Sequence, residues 1–388
     1  MNDVLTTGLV QELAALDPGE PVLTIVLRTD PRDPANTADT PAWILGLRNG
    51  LRAIAGTLEK RAEREERLAF RELREHVERD LLALEPAERA RGLAAFVTPS
   101  RSIDHRVALQ LPPADHVVRW DRRPFISPLV DVADRGRATG LVLVAGDAVR
   151  VLHWEAGRVE EPENSLYELE LGDWRRYAAY AMANPARRQQ TATHVASYEQ
   201  RVDEWRKRFL TTAAKATAAR LRELGWKRIL VAAEGQAAGA FAQELPREVA
   251  ERVVAEVEAN VLWEEPAAVA DRLEPELHGA WERETRAVIE QALGAARAGG
   301  PATIGLDETL DALVQGRVAH LVLDVTRAYD PARIGPSARS VLGELTGELV
   351  AERVVELAIA SGAGVSATTG AHRGSLVDAG GMVATLRF

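Results

Sequence analysis

Between Arg187 and Arg208 the chain gathers an unusual run of cations: Arg187, Arg188, His194, Arg201, Arg206, Lys207 and Arg208. Guanidinium and ammonium groups at this density suit contact with phosphate, and they nominate these seven positions as RNA-binding candidates. Glu199, Asp203 and Glu204 interrupt the run, so a solvated, charge-balanced helix face accounts for the same pattern. Trp174, Tyr177 and Tyr180 precede it and could stack on bases, although their near-helical spacing fits a packed helix face better. Elsewhere the residues argue against chemistry. The chain has no cysteine, which excludes thiolate nucleophiles, disulfides and cysteine metal sites. Its eight histidines form no His-x-His or i,i+4 pair, so no metal and no cofactor are expected. Gly-x-Ser-x-Gly and Walker A patterns are absent. Gly362-Ala363-Gly364-Val365-Ser366-Ala367 fits a dinucleotide fingerprint formally, but a helix precedes it and a strand follows, the reverse of what that fingerprint needs. Helix capping explains it better. Gly235-Gln236, between a buried run and a helical one, reads as a plain turn.

A length of 388 residues suits two or three cores, and 46% hydrophobic with 27% charged residues describes a folded chain. The net charge of −10 excludes a protein that coats nucleic acid over its whole surface, so any RNA contact must be local and DNA is not an expected partner. Apolar runs such as Leu141–Ala145 and Ile229–Ala233 fall far short of the roughly 20 residues of a membrane span. Met1-Asn2-Asp3-Val4 lacks the basic, apolar start of a signal peptide, which predicts a cytoplasmic chain without a membrane partner.

The elements that must position the cations follow from periodicity. Val22–Leu27 reads as a buried strand, Trp43–Leu84 as one or two long helices, and Gly92–Val97 and Val107–Leu111 as strands. Within the helices, Glu and Arg at i,i+4 make Arg61–Arg74 read as paired scaffold. Thr139–Ala145, the turn Gly146-Asp147 and Val149–Trp154 form a hairpin. After Leu171 the pattern breaks through Asn184-Pro185 to Thr193, a long loop that leads to a helix over Val195–Leu224 and a strand over Trp226–Ala233. Then come a helix over Pro275–Ala298, a helix over Leu306–Gln315, a strand over Val318–Val325 and a helix over Ser337–Ser361. Strands over Val365–Thr369 and Met382–Phe388 close the chain, with Leu386 and Phe388 expected to pack on the preceding helix. Alternating strands and helices give an α/β class in three domains, 1–130, 138–272 and 275–388.

The order of hairpin, long basic loop, long helix and strand resembles the middle domain of the archaeo-eukaryotic release factor and Pelota family. Leu310–Leu323, the step Ala358–Val365, and above all Gly380-Gly381-Met382-Val383-Ala384-Thr385-Leu386-Arg387-Phe388 resemble its C-terminal domain. The first domain is similar to the bacterial branch, which includes Balon-type proteins, rather than to a codon-reading domain, so stop-codon recognition does not carry over. The resemblance implies a ribosomal workplace: rRNA and the A site where tRNA enters, with a translational GTPase as a partner it admits. In that family the loop carries Gly-Gly-Gln. Here it reads Ala186-Arg187-Arg188-Gln189-Gln190-Thr191, which makes Gln189 and Gln190 the candidate catalytic residues and removes both glycines. Arginine does not reach the positive φ that glycine adopts at no steric cost, so close approach to an ester is expected to fail. One reading is thus a non-hydrolytic factor of rescue or hibernation type. The other is a peptidyl-tRNA hydrolase or tRNA-cleaving enzyme using Gln189 or Gln190.

Overall fold

Every residue from Val22 to Leu27 is buried, which is why this run forms β1 (Val22–Arg28) at the centre of an antiparallel sheet ordered β3-β2-β1-β4. The computed structural model describes residues 5–169, 191–235, 237–343, 345–369 and 372–388. Two compact units emerge, one built from Met1–Gly136 with Trp281–Phe388 and the other from Arg137–Ala280. Among the described residues, no helix is long and apolar enough to cross a membrane.

In the first unit, α1 (Thr7–Ala15) precedes β1, and α2 (Ala42–Arg61) and α3 (Arg64–Ala83) follow it. The odd positions Leu23, Ile25 and Leu27 face Trp43, Leu47 and Leu51 of α2 and Phe70, Leu73 and Val77 of α3, as a period of two demands. The short α4 (Pro86–Arg89) leads to β2 (Gly92–Val97), β3 (Asp104–Leu109), β4 (Val117–Asp121) and α5 (Ser127–Arg135). A side chain at Gly50 would stand 2.4 Å from Val118, so this glycine lets α2 lie directly on β4.

The second unit carries a mixed sheet ordered β10-β9-β5-β6-β7. The predicted hairpin is β5 (Thr139–Val144) with β6 (Ala148–Glu155), and β7 (Arg158–Glu160) and β8 (Leu166–Glu168) both pair with β6. After α6 (Thr191–Glu223) come β9 (Arg228–Ala233), α7 (Ala237–Glu244), α8 (Arg247–Ala250) and β10 (Val253–Glu258). Trp226 is fully buried against Gly140, where an added Cβ would meet its ring at 2.4 Å, and its Nε1 donates to His153 Nδ1 at 2.9 Å. The helix expected from Pro275 begins earlier: α9 (Pro266–Arg297) runs on through Pro275.

The remainder of the first unit holds β11 (Ala302–Ile304), α10 (Leu306–Val314), β12 (Val318–Asp324), α11 (Pro336–Leu342), α12 (Val350–Ala360), β13 (Gly364–Thr368), α13 (Arg373–Val377) and β14 (Met382–Leu386). Its sheet is ordered β11-β14-β12-β13, with β12 and β13 parallel. The single helix expected over Ser337–Ser361 is instead α11 and α12. Gly343 takes φ +73° beyond α11, and Gly347 lies so near Tyr329 O that a Cβ would stand 2.8 Å away. The Gly380-Gly381 pair gains a reason: both have positive φ, and a Cβ on Gly381 would lie 2.5 Å from Arg327 Cδ. Tyr329 Oη sits 2.8 Å from Gly381 O and 2.9 Å from Asp324 O. Phe388 does not pack as expected; it is 76% exposed, because β14 ends at Leu386. Arg387 anchors the end instead, donating to the carbonyls of Gly316, Ser361 and Gly362 at 3.2, 3.2 and 2.9 Å.

A buried polar joint ties the first sheet to the last within this unit. Glu352 of α12 accepts from the Ile126 and Ser127 N–H groups and from Ser127 Oγ, which satisfies the N-terminus of α5 from across the unit. Burial pushes its carboxyl up to about 7, against the pull of those donors. Next to it, Arg353 pairs with Glu356 and reaches Asp121 of β4 at 3.2 Å, while Arg123 reaches Glu356 at 3.4 Å.

Candidate nucleic-acid interface

α6 is the element that carries the candidate cations. Leu210, Ala213, Ala214, Ala218 and Leu221 bury a stripe at spacings of three and four against Val142, Val151 and Val231 of the sheet. The opposite faces stay open, and Arg206, Lys207 and Arg208 are all exposed. Successive residues turn by about 100° on a helix, so the three cations fan around its outer side instead of stacking. Arg206 Nε donates to Gly146 O at 3.1 Å, clamping α6 to the β5–β6 turn without neutralising the guanidinium. Thr211 Oγ1 donates to Glu244 at 2.6 Å and fixes the next turn to α7.

At the foot of this region, Leu169 N bonds Asp147 O at 2.8 Å, so β8 leaves the sheet beside the hairpin turn. A hollow of about 420 Å³ lies there, lined by Glu168, Leu169, Trp205, Arg208, Phe209 and Thr212. Trp205, 38% exposed, and Arg208 both line it, residue types that can receive a base face and a phosphate. The sequence reading did not single out Trp205; an aromatic inside the cation run was the available signal.

Arg187, Arg188, Gln189 and Gln190 lie outside the described residues, as do Trp174, Tyr177 and Tyr180. His194 and Arg201 fall within α6, and their side chains lie outside the described residues. The described candidates brought together are therefore Arg206, Lys207 and Arg208.

The sheet beneath is held by its own ion pair. Arg150 bonds Glu161 at 2.9 Å and donates to Leu262 O and Glu264 O at 2.9 and 2.6 Å, and this guanidinium holds the Glu161 carboxyl below its ordinary range. Among the described residues, no group of three or more histidines and carboxylates is placed to hold a metal. His320 bonds Ser366 Oγ at 2.9 Å across β12 and β13, and His153 serves Trp226, both structural roles.

Residues 124–278 match the model of bacterial archaeo-eukaryotic release factor family 10. Over residues 124–278 the chain is therefore similar to the bacterial release-factor-like family, as its sequence suggested for the middle of the chain. No curated protein matches the chain. Among solved structures, the archaeal translation termination factor aRF1 is 18% identical over 99% of each chain, with a TM-score of 0.25. The archaeal Pelota of a ribosome-bound complex with ABCE1 is 16% identical over 100% of this chain and 95% of its own, with a TM-score of 0.40. Dom34 of S. cerevisiae is 11% identical over 76% of this chain and 80% of its own, again with a TM-score of 0.40.

Proposed function

We propose that this chain is a ribosome-associated translation factor of rescue or hibernation type that occupies the A site without a Gly-Gly-Gln loop. The observation that carries the reading is the family match over residues 124–278, inside which α6 presents Arg206, Lys207 and Arg208 to solvent in a chain of net charge −10. In this reading 1–130, 138–272 and 275–388 act as three domains. The segment ahead of α6, with Arg187 and Arg188, would meet rRNA phosphates near the catalytic centre, and His194 and Arg201 would add to that contact. Gln189 and Gln190 sit in it without the glycines that would let them reach an ester. The ribosome is the partner, and a translational GTPase is the factor that would deliver the protein there.

Sedimentation of the full chain with purified 70S ribosomes tests this. Binding at low salt that weakens log-linearly with added salt is the expected result. Failure to co-sediment at low salt overturns the proposal, and peptide release dependent on Gln190 in a single-turnover assay would replace it with the hydrolase reading.

A further inference from the structure

The hairpin of α2 and α3 carries a second basic surface. Arg64, Arg67, Arg71 and Arg74 recur at spacings of three and four along α3, which sets them on one face in a row about 15 Å long. They line a groove of about 560 Å³ whose floor is Leu58 and Phe70. The sequence reading expects these arginines to be paired with glutamates one turn away, and the fold does otherwise. Glu78, one turn beyond Arg74, pairs with Arg48 at 2.9 Å, and Glu63 and Glu75, one turn from Arg67 and Arg71, form no ion pair with them among the described residues. None of the four groove guanidinium groups makes an ion pair or side-chain hydrogen bond among the described residues. Glu59 is the carboxylate that lines the groove with them. Like charges three and four apart weaken a helix, so this face holds a repulsion that an outside anion would relieve.

We infer that this groove binds a single RNA strand along its sugar–phosphate backbone. A guanidinium fork takes phosphate bidentately, and a straight row of four suits a chain of regularly repeated anions. The concave form suits one strand rather than the convex side of a duplex. An acidic protein helix would need an apolar strip to bury, whereas Leu68, 39% exposed, is the sole large apolar side chain open on the lining. The choice of RNA over DNA rests on the ribosomal reading above; the phosphate chemistry does not.

The test uses the full chain and a fluorescein-labelled oligouridine RNA, read by anisotropy across a salt series. Arg67→Gln with Arg71→Gln should weaken binding at least about fivefold near 100 mM salt. It should also flatten the slope of log K against log salt by about 1.4, from about 0.7 for each of two lost phosphate contacts. Arg52→Gln with Arg79→Gln removes the same charge from α2 and α3 outside the groove and should change neither. Equal losses in both pairs, no binding by the wild type, or competition by polyglutamate as strong as by unlabelled RNA would each overturn the inference. Ribosome sedimentation separates it from the function proposed above. Oligouridine binding lost in the groove variant, with no ribosome binding by the wild type, sinks the ribosomal reading alone; ribosome binding with an unchanged oligouridine slope sinks the groove alone.

Discussion

Two sets of charged residues behave in opposite ways in this molecule. At the joint in the first unit, Glu352, Arg353 and Glu356 are all buried, and each has its partners within the unit. On α6 of the second unit, Arg206, Lys207 and Arg208 are exposed, and among the described residues their side chains make one hydrogen bond, from Arg206 to the Gly146 carbonyl. Buried charges fix geometry, because a partner removed leaves an ion or donor without solvent. Exposed charges contribute little to stability and keep their capacity for an outside anion.

The largest effect is expected at Glu352. Glu352→Ala strands two N–H groups and the Ser127 hydroxyl, and should cost about 3–5 kcal/mol in chemical denaturation of the full chain. An unaltered transition would mean that the joint is not what holds α5 to α12.

Proton linkage sharpens the same point. A carboxyl raised to about 7 binds more protons when folded than when unfolded, so its contribution is fully present below about 4.5 and is lost as pH rises to 7. The charged and polar groups around it are Ser127 of α5, Arg123 and Asp121 at the first sheet, and Arg353 and Glu356 of its own helix. Stability should fall by at most about 3 kcal/mol between pH 4.5 and 8 through this group. Unfolding of Glu352→Gln across the same range should lack that component; identical pH profiles would refute it.

Within the second unit, Gly140→Ala should cost about 1–3 kcal/mol, since its Cβ would meet the Trp226 ring at 2.4 Å in a filled core. A Trp fluorescence melt that overlays the wild type would show that the ring can shift.

The smallest effects are expected at the basic surface. Replacing Gln189 and Gln190 by Ala should leave ribosome affinity within about threefold, near 0.65 kcal/mol, and neither form should release peptide above background. Arg206→Glu with Arg208→Glu should change stability by less than about 0.5 kcal/mol while flattening the salt dependence of ribosome binding. A large stability loss there would erase the contrast between the two regions.

Much of the fold was legible. β1, the β5–β6 hairpin, α6, β9, β12 and β13 were found because continuous apolar runs and helical stripes are local signals. β10 was missed because Val253–Glu258 alternates Val with Glu on a half-buried edge, and β4 and β11 because short strands owe their state to a neighbour. The candidate site was legible as a cluster of cations, whereas the hollow that Trp205 and Arg208 line was not, since its other wall is Glu168 and Leu169 from a distant part of the chain.

By itself, the sequence determined the α/β alternation, the glycine-marked ends, the absence of thiol chemistry and the cation run before and along α6. These depend on residue type and near spacing alone. Tertiary structure decided which charges stay free. Arg74 has Glu78 one turn on in the chain, yet Glu78 turns to Arg48. Glu352 looks like any helix glutamate until α5 arrives 225 residues away in sequence to place Ser127 against it. Pairing energies at a surface are too small to hold an ion to its sequence neighbour, so the partner that burial and geometry supply wins.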